Sequence, residues 1–238
     1  IYEIASGKFS NFEALVRMKD NKTLGFVSPE EFIPLAEKNG LIMKLSEKIF
    51  NLVFAFVSKE KLQEKGLSHI EVNLSGLQSV DAALPNQMTE LLEKYKLDPN
   101  IVNLEITESI AITSSFMLKK NMDELKRIGC TFSMDDFGTG YSNLSQMANV
   151  DYELIKIDKS LLWPCFDEKN PNSKNSRVIL ENMINMILKL GKSIVVEGVE
   201  TPEQFEYLKN LGVTYIQGYY FSKPLCEKDY LDFIKKEF

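Results

Sequence analysis

The sequence predicts an α/β fold, a TIM-like (β/α)8 barrel with one antiparallel barrel strand. Short apolar segments alternate with amphipathic helical segments over all 238 residues, the signature of a parallel sheet built from strand-then-helix units. The unit recurs often enough for that sheet to close on itself. The opening residues Ile1 to Ile4 turn at Ser6-Gly7 into Lys8 and have the pattern of a hairpin, so one strand runs against the others. A single domain covering residues 1–238 is expected, truncated at its N-terminus and part of a larger protein.

Taken in order, the strands are expected at Asn11 to Met18, Ile70 to Leu74, Val102 to Thr107, Thr131 to Met134, Leu154 to Ile157, Ser193 to Val196 and Tyr215 to Gln217. Each is a short run rich in β-branched and other apolar residues. Between them, helical periodicity predicts helices over Pro29 to Lys38, Leu41 to Lys65, Pro85 to Tyr95, Ser114 to Ile128, Arg177 to Leu190 and Pro202 to Asn210. Ser28-Pro29-Glu30-Glu31 and Thr201-Pro202-Glu203-Gln204 both have the form of a capping box with Pro at the first helical position. Gly40, Gly66, Gly129, Gly191 and Gly212 stand where helices should stop. The polar stretch DEKNPNSKNS, Asp167 to Ser176, is expected to be a long exposed loop.

Composition narrows the functional classes. A hydrophobic share of 44% is ample for a sizeable core, and a net charge of -6 lacks the basic footprint that long nucleic acids require. A small phosphate ligand stays open if metal ions supply positive charge. The cysteines Cys130, Cys165 and Cys226 are scattered, with no Cys-x-x-Cys pair, which argues against a disulfide framework or a thiolate metal site and for a reducing, cytoplasmic compartment. The longest apolar stretch, Ile49 to Val57, is far short of a bilayer span. A membrane anchor of the full-length protein would lie in an upstream part.

Alternation along the strands puts polar residues in one phase. Asn73 lies between Val72 and Leu74, Glu105 between Leu104 and Ile106, and Lys156 between Ile155 and Ile157, while Glu197 and Gln217 follow Val196 and Ile216. If the apolar neighbours face the helices, these residues face the barrel axis near the C-terminal strand ends, where barrel enzymes build active sites. Glu13 and Arg17 share a face by the same count. Carboxylates, a carboxamide and a lysine suit a hard divalent ion, Mg²⁺ or Mn²⁺, better than zinc. The one histidine, His69, sits at the other end of its strand and is assigned to the surface or a helix cap, which excludes a His-dependent nucleophilic triad. In FSMDDFGTGYSNL, residues 132–144, Asp135 and Asp136 are adjacent, and regular pleat would point them to opposite faces. Either one is incidental or the strand ends there.

These segments resemble the EAL-domain cyclic di-GMP phosphodiesterases along essentially the whole chain. The resemblance is carried by Glu13-Ala14-Leu15 with Arg17, SPEEFIPLAE from Ser28, VNLS from Val72, LEITE from Leu104, DDFGTGYSNL from Asp135, IKID from Ile155, the VEGVET segment around Glu197 and QGYYFSKP from Gln217. It implies hydrolysis of cyclic di-GMP to linear pGpG with two Mg²⁺ or Mn²⁺ ions. By the same resemblance Glu13, Asn73, Glu105 and Asp135 bind one metal. Asp135 is shared with a second metal that Asp136 also binds, with the strand stopping at Asp135 so that a turn through Gly138 and Gly140 brings Asp136 round. Lys156 and Glu197 hold the attacking water, supported by Gln217 and Glu200, and Glu108 braces the loop carrying Asp136 and Gly138, a loop associated with dimerisation. Arg17 contacts a substrate phosphate and Phe221 packs on a guanine. A homodimer and an upstream sensory or regulatory domain are expected. The alternative is a receptor module that binds cyclic di-GMP without cleaving it. The family's Gln-Pro pair before the position of Ile1 is absent, which is read as truncation.

Overall fold

The computed structural model describes residues 1–18, 23, 25–112, 116–139 and 150–237. Eight strands hydrogen-bond in one sheet: β1 (Tyr2–Glu3), β2 (Asn11–Ala14), β3 (His69–Asn73), β4 (Val102–Thr107), β5 (Thr131–Phe137), β6 (Leu154–Ile157), β7 (Ser193–Val196) and β8 (Tyr215–Ile216). Their order is β1-β8-β7-β6-β5-β4-β3-β2. β5, β6, β7 and β8 pair in parallel and β1 pairs antiparallel with β8. This is the β/α order of a TIM-like barrel with one antiparallel strand. The opening hairpin is closed by a bridge from Glu3 to Lys8.

The chain divides into two compact units. The first comprises Ile1–Phe12, Glu105–Thr113 and Thr131–Phe238. In it β6 and β7 are apolar except at Lys156 and Ser193, with Ile155, Ile157, Ile194, Val195 and Val196 all buried. Thr201 caps the helix Pro202–Asn210 through a capping box with Gln204. The C-terminal helix Glu227–Glu237 is fixed by aromatic contacts from Phe12 to Tyr230 and from Phe9 to Phe233.

The second unit comprises Glu13–Leu104 and Ser114–Cys130. Its core is the face of the helix Ile42–Lys59 that presents Ile42, Ser46, Phe50, Phe54 and Val57, a three-to-four residue spacing that makes one stripe. The helices Leu84–Tyr95 and Phe116–Ile128 add Met88, Leu92 and Leu125. A capping box at Ser75 and Gln78 opens a short helix, Gly76–Ser79, that the expected helices do not include although its S-x-x-Q signature is in the sequence. At the other expected box, Ser28 accepts from Glu30 N–H at 3.4 Å, an ordinary cap.

Several boundaries differ from expectation for physical reasons. The helix expected to reach Lys65 ends at Lys59, because Lys61 takes a left-handed backbone with φ +52. Leu62 is still buried, by the turn, so the apolar period outlasts the helix. The polar loop expected over Asp167 to Ser176 is shorter, since a helix begins at Ser173 and its exposed first turn carries no apolar stripe. β2 ends at Ala14, so Arg17 is outside the strand and the alternation that placed it with Glu13 does not apply. His69 is not a helix cap but the half-buried first residue of β3. Gly140 and the rest of the DDFGTGYSNL segment through Leu144 lie outside the described residues.

Candidate active site

Lys156 lies on β6 with apolar neighbours on either side, and its strand phase sends the side chain away from the helices. Its ammonium is 1% exposed and pairs with three carboxylates of the first unit. Glu105 is in direct contact, Glu197 Oε1 is at 3.0 Å and Asp135 Oδ1 is at 3.5 Å. Glu105 is fully buried, Asp135 is 12% exposed and Glu197 is 20% exposed, so the cluster opens on the side of the last two. One positive charge against three negative ones leaves a formal excess of two negative charges. In so dry a place such an excess costs several kcal/mol per ion unless a further cation offsets it.

The Asp-Asp pair is handled by a bulge. β5 does not stop at Asp135 but continues to Phe137, and its pairing with β6 passes from Met134 opposite Ile155 to Phe137 opposite Ile157. Two residues, Asp135 and Asp136, therefore stand against the single Lys156. Asp136 takes φ +55, a left-handed backbone in which Asp is tolerated better than most residues. The extra residue breaks the two-fold alternation, so the pair is released from opposite faces without ending the strand.

Past the bulge, Gly138 N–H donates to Glu108 Oε2 at 3.2 Å, which ties the start of the helix Glu108–Ile112 to the bulged loop. Gly138 has φ +99, and a Cβ there would fall 2.2 Å from Leu161 Cδ1. Gln217 follows β8. Its backbone N–H donates to Val196 O at 3.0 Å and its carbonyl accepts from Val199 N–H at 3.2 Å, which joins it to the strand end that carries Glu197.

In the second unit Asn73 Nδ2 donates to Glu13 Oε1 at 3.1 Å, bringing together residues sixty apart in the chain. The other expected site residues make contacts of their own. Arg17 is exposed, with its guanidinium donating to its neighbour's carbonyl, Val16 O, at 2.8 Å. Glu200 is exposed, and its backbone N–H donates to Gln204 Oε1 at 2.7 Å as part of the helix cap. Phe221 belongs to an aromatic cluster, stacked on Tyr2 at 4.7 Å and edge-on to Phe9, Phe205 and Tyr220.

Sequence reasoning passed over a second row of polar residues. Glu71, Asn103 and Ser133 are buried, each two residues before Asn73, Glu105 or Asp135 and so on the same face of its strand. The alternation that found the first row, carried one step back, finds these as well. Burial pushes the Cys130 thiol up to about 12 and raises Cys165 too, which holds both as neutral thiols.

The donor set fits a hard cation. It offers carboxylate oxygens, its charge is negative in excess, and the buried Asp135 Oδ1 has only its 3.5 Å ion pair to Lys156 among the described residues. Also among the described residues, no three Asp, Glu, His or Cys side chains form a ready-made cage, so any ion here would rely on water for part of its shell.

A family model for the EAL domain matches residues 1–224. The chain belongs to the EAL domain family. Among relatives, this EAL domain is 35% identical over 220 residues to the oxygen sensor protein DosP of Escherichia coli, covering 92% of this chain and 27% of that protein. It is 35% identical over 232 residues to the probable cyclic di-GMP phosphodiesterase PdeG of the same organism, covering 96% and 43%. A solved structure described as the PaMucR phosphodiesterase in complex with c-di-GMP superposes with a TM-score of 0.85 at 30% identity, covering 96% of this chain and 90% of that one. The EAL domain thus spans about a quarter to two fifths of the length of these two full-length relatives. No helix among the described residues is long and apolar enough to cross a membrane.

Proposed function

We propose that this EAL domain hydrolyses one phosphodiester bond of cyclic di-GMP to give linear pGpG. The observation that carries the reading is the buried Lys156 cluster, in which a base, an orienting cation and excess negative charge converge at the C-terminal ends of parallel strands. Relatives named as cyclic di-GMP phosphodiesterases and a relative solved with c-di-GMP supply the substrate.

Glu13, Asn73, Glu105, Asp135 and Asp136 would hold two Mg²⁺ or Mn²⁺ ions. When bound, such ions polarise a phosphoryl oxygen and make water nucleophilic at neutral pH. Glu197 accepts the proton of the attacking water. Lys156, its ammonium anchored by Glu105, holds the water and Glu197 in a fixed relation. Glu108 braces the bulged loop through Gly138, Gln217 ties down the strand end beside Glu197, and Glu200 supports it from the next turn. Arg17 and Phe221 take the phosphate and guanine contacts that the resemblance gives them. The domain works as a homodimer within a longer signalling protein whose upstream part supplies regulation.

The test is turnover of cyclic di-GMP with Mg²⁺ or Mn²⁺, read as appearance of pGpG, alongside equilibrium binding. Binding with no product would make the domain a receptor, and failure of both would remove cyclic di-GMP as its ligand.

A further inference from the structure

Lys156 is followed by Asp158, which caps the short helix Lys159–Leu162 through Ser160 N–H at 2.8 Å. That helix and the next residue touch both neighbouring loops at their glycines. On one side Leu161 packs onto Gly138, so closely that no Cβ fits. On the other, the Trp163 indole N–H donates to Gly198 O at 2.8 Å, and a Cβ on Gly198 would fall 2.4 Å from Lys159 Cβ. Gly198 directly follows Glu197 and takes φ +69.

Glu197 is consequently held from three directions. Its N–H donates to Ile157 O at 3.0 Å, its carboxylate meets Lys156 at 3.0 Å, and the carbonyl of the next residue, Gly198, is held by Trp163. The first two contacts come from β6 itself. The third comes from a side chain that is 41% exposed and contributes little core, with Lys159 Nζ 5.1 Å above its ring. An exposed tryptophan whose one polar atom is spent on the backbone beside the proposed base is placed to orient, not to fill space.

We propose that Lys159–Leu162 with Trp163 is a positioning clamp, in which the Trp163 indole N–H sets Glu197 and Leu161 holds Gly138 and the loop bearing Asp136. The proposal rests on the phosphodiesterase reading above. Trp163 is a positioning residue: it reaches the chemistry only through Gly198 and Glu197. A group that acts this way alters the rate of the chemical step and leaves substrate binding alone, because displacement of a base by about 1 Å costs up to ~10²-fold in rate.

The experiment is steady-state hydrolysis of cyclic di-GMP in Mg²⁺ by the wild type, W163F and L161A, with melting temperatures measured in parallel. W163F keeps an aromatic ring and loses only the indole and its N–H. A fall in kcat of about 10-fold with KM unchanged is expected for W163F, and a fall in the same sense for L161A, without loss of the folded state. If W163F does not fold, L161A carries the same kcat-against-KM test from the other arm. An active wild type with an equally active W163F overturns the clamp and leaves the phosphodiesterase reading intact. An inactive wild type overturns that reading, and the clamp with it.

Discussion

Lys156 and Arg177 are two cations of the same unit with opposite surroundings. Lys156 is buried among Glu105, Asp135 and Glu197. Arg177, on the helix Ser173–Lys189, lies over the rings of Phe166 at 4.9 Å and Tyr207 at 5.6 Å, donates Nε to Cys165 O at 2.9 Å, and reaches the exposed Glu203 only at 3.8 Å. Arg177 is itself partly exposed, and every one of these contacts is one that packing can use. Around Lys156 negative charge exceeds positive, and no aromatic ring takes part among the described residues. A fold that needed only stability would not bury such an excess, because apolar residues of similar volume do as well or better. The difference separates a cation kept for chemistry from one kept for structure.

The comparison breaks most completely on metal removal. Chelation is expected to abolish cyclic di-GMP hydrolysis, with Mg²⁺ or Mn²⁺ restoring it, whereas Ca²⁺ should permit binding with little turnover because of its larger radius and looser coordination. Undiminished product formation in chelator would show that the negative excess around Lys156 has another purpose.

Next in size is Glu197→Gln, which keeps shape and removes the proton acceptor. A loss of ~10²–10⁴ in rate is expected, with cyclic di-GMP binding largely retained. Single-turnover hydrolysis and equilibrium binding on the same variant check it, and near-normal chemistry would demote Glu197 to a strand-end residue.

Glu108→Ala removes the acceptor for Gly138 N–H and is expected to lower activity by ~10–100-fold. Glu31→Ala, on the exposed first turn of Pro29–Lys38, is the control and should leave kcat alone. Equal kinetics in the two variants would mean that the bulged loop needs no brace.

The smallest effect is expected on the structural side of the comparison. Arg177→Ala loses two ring contacts and one hydrogen bond, about 1–2 kcal/mol of stability, and should leave kcat unchanged. Denaturant melts and turnover measured together test it. A kcat loss larger than the stability loss explains would place Arg177 on the functional side.

The sequence by itself determined every element whose local signals agree. β4, β6 and β7 and the helices Pro29–Lys38 and Pro202–Asn210 lie where strand alternation, helix caps and flanking glycines put them, because those signals depend only on neighbours a few residues away. It also placed Glu105, Lys156 and Glu197 in one strand phase. The hairpin at Ile1 to Lys8 was equally legible, from its turn residues.

Tertiary structure decided the rest. The β-bulge at Asp135 and Asp136 exists only through the register of β5 against β6, which no local pattern of β5 encodes. Lys61 takes a left-handed backbone just past the end of the helix and Leu62 is buried by the turn, while the helical period runs on unbroken in the sequence. The convergence of three carboxylates on Lys156 and the hold of Trp163 on Gly198 bring together residues distant in the chain. The physical reason is the same in each case. Periodicity reports which face of an element is apolar, but the distances between charged groups on different strands are fixed only when the sheet has its register and the helices have closed over it.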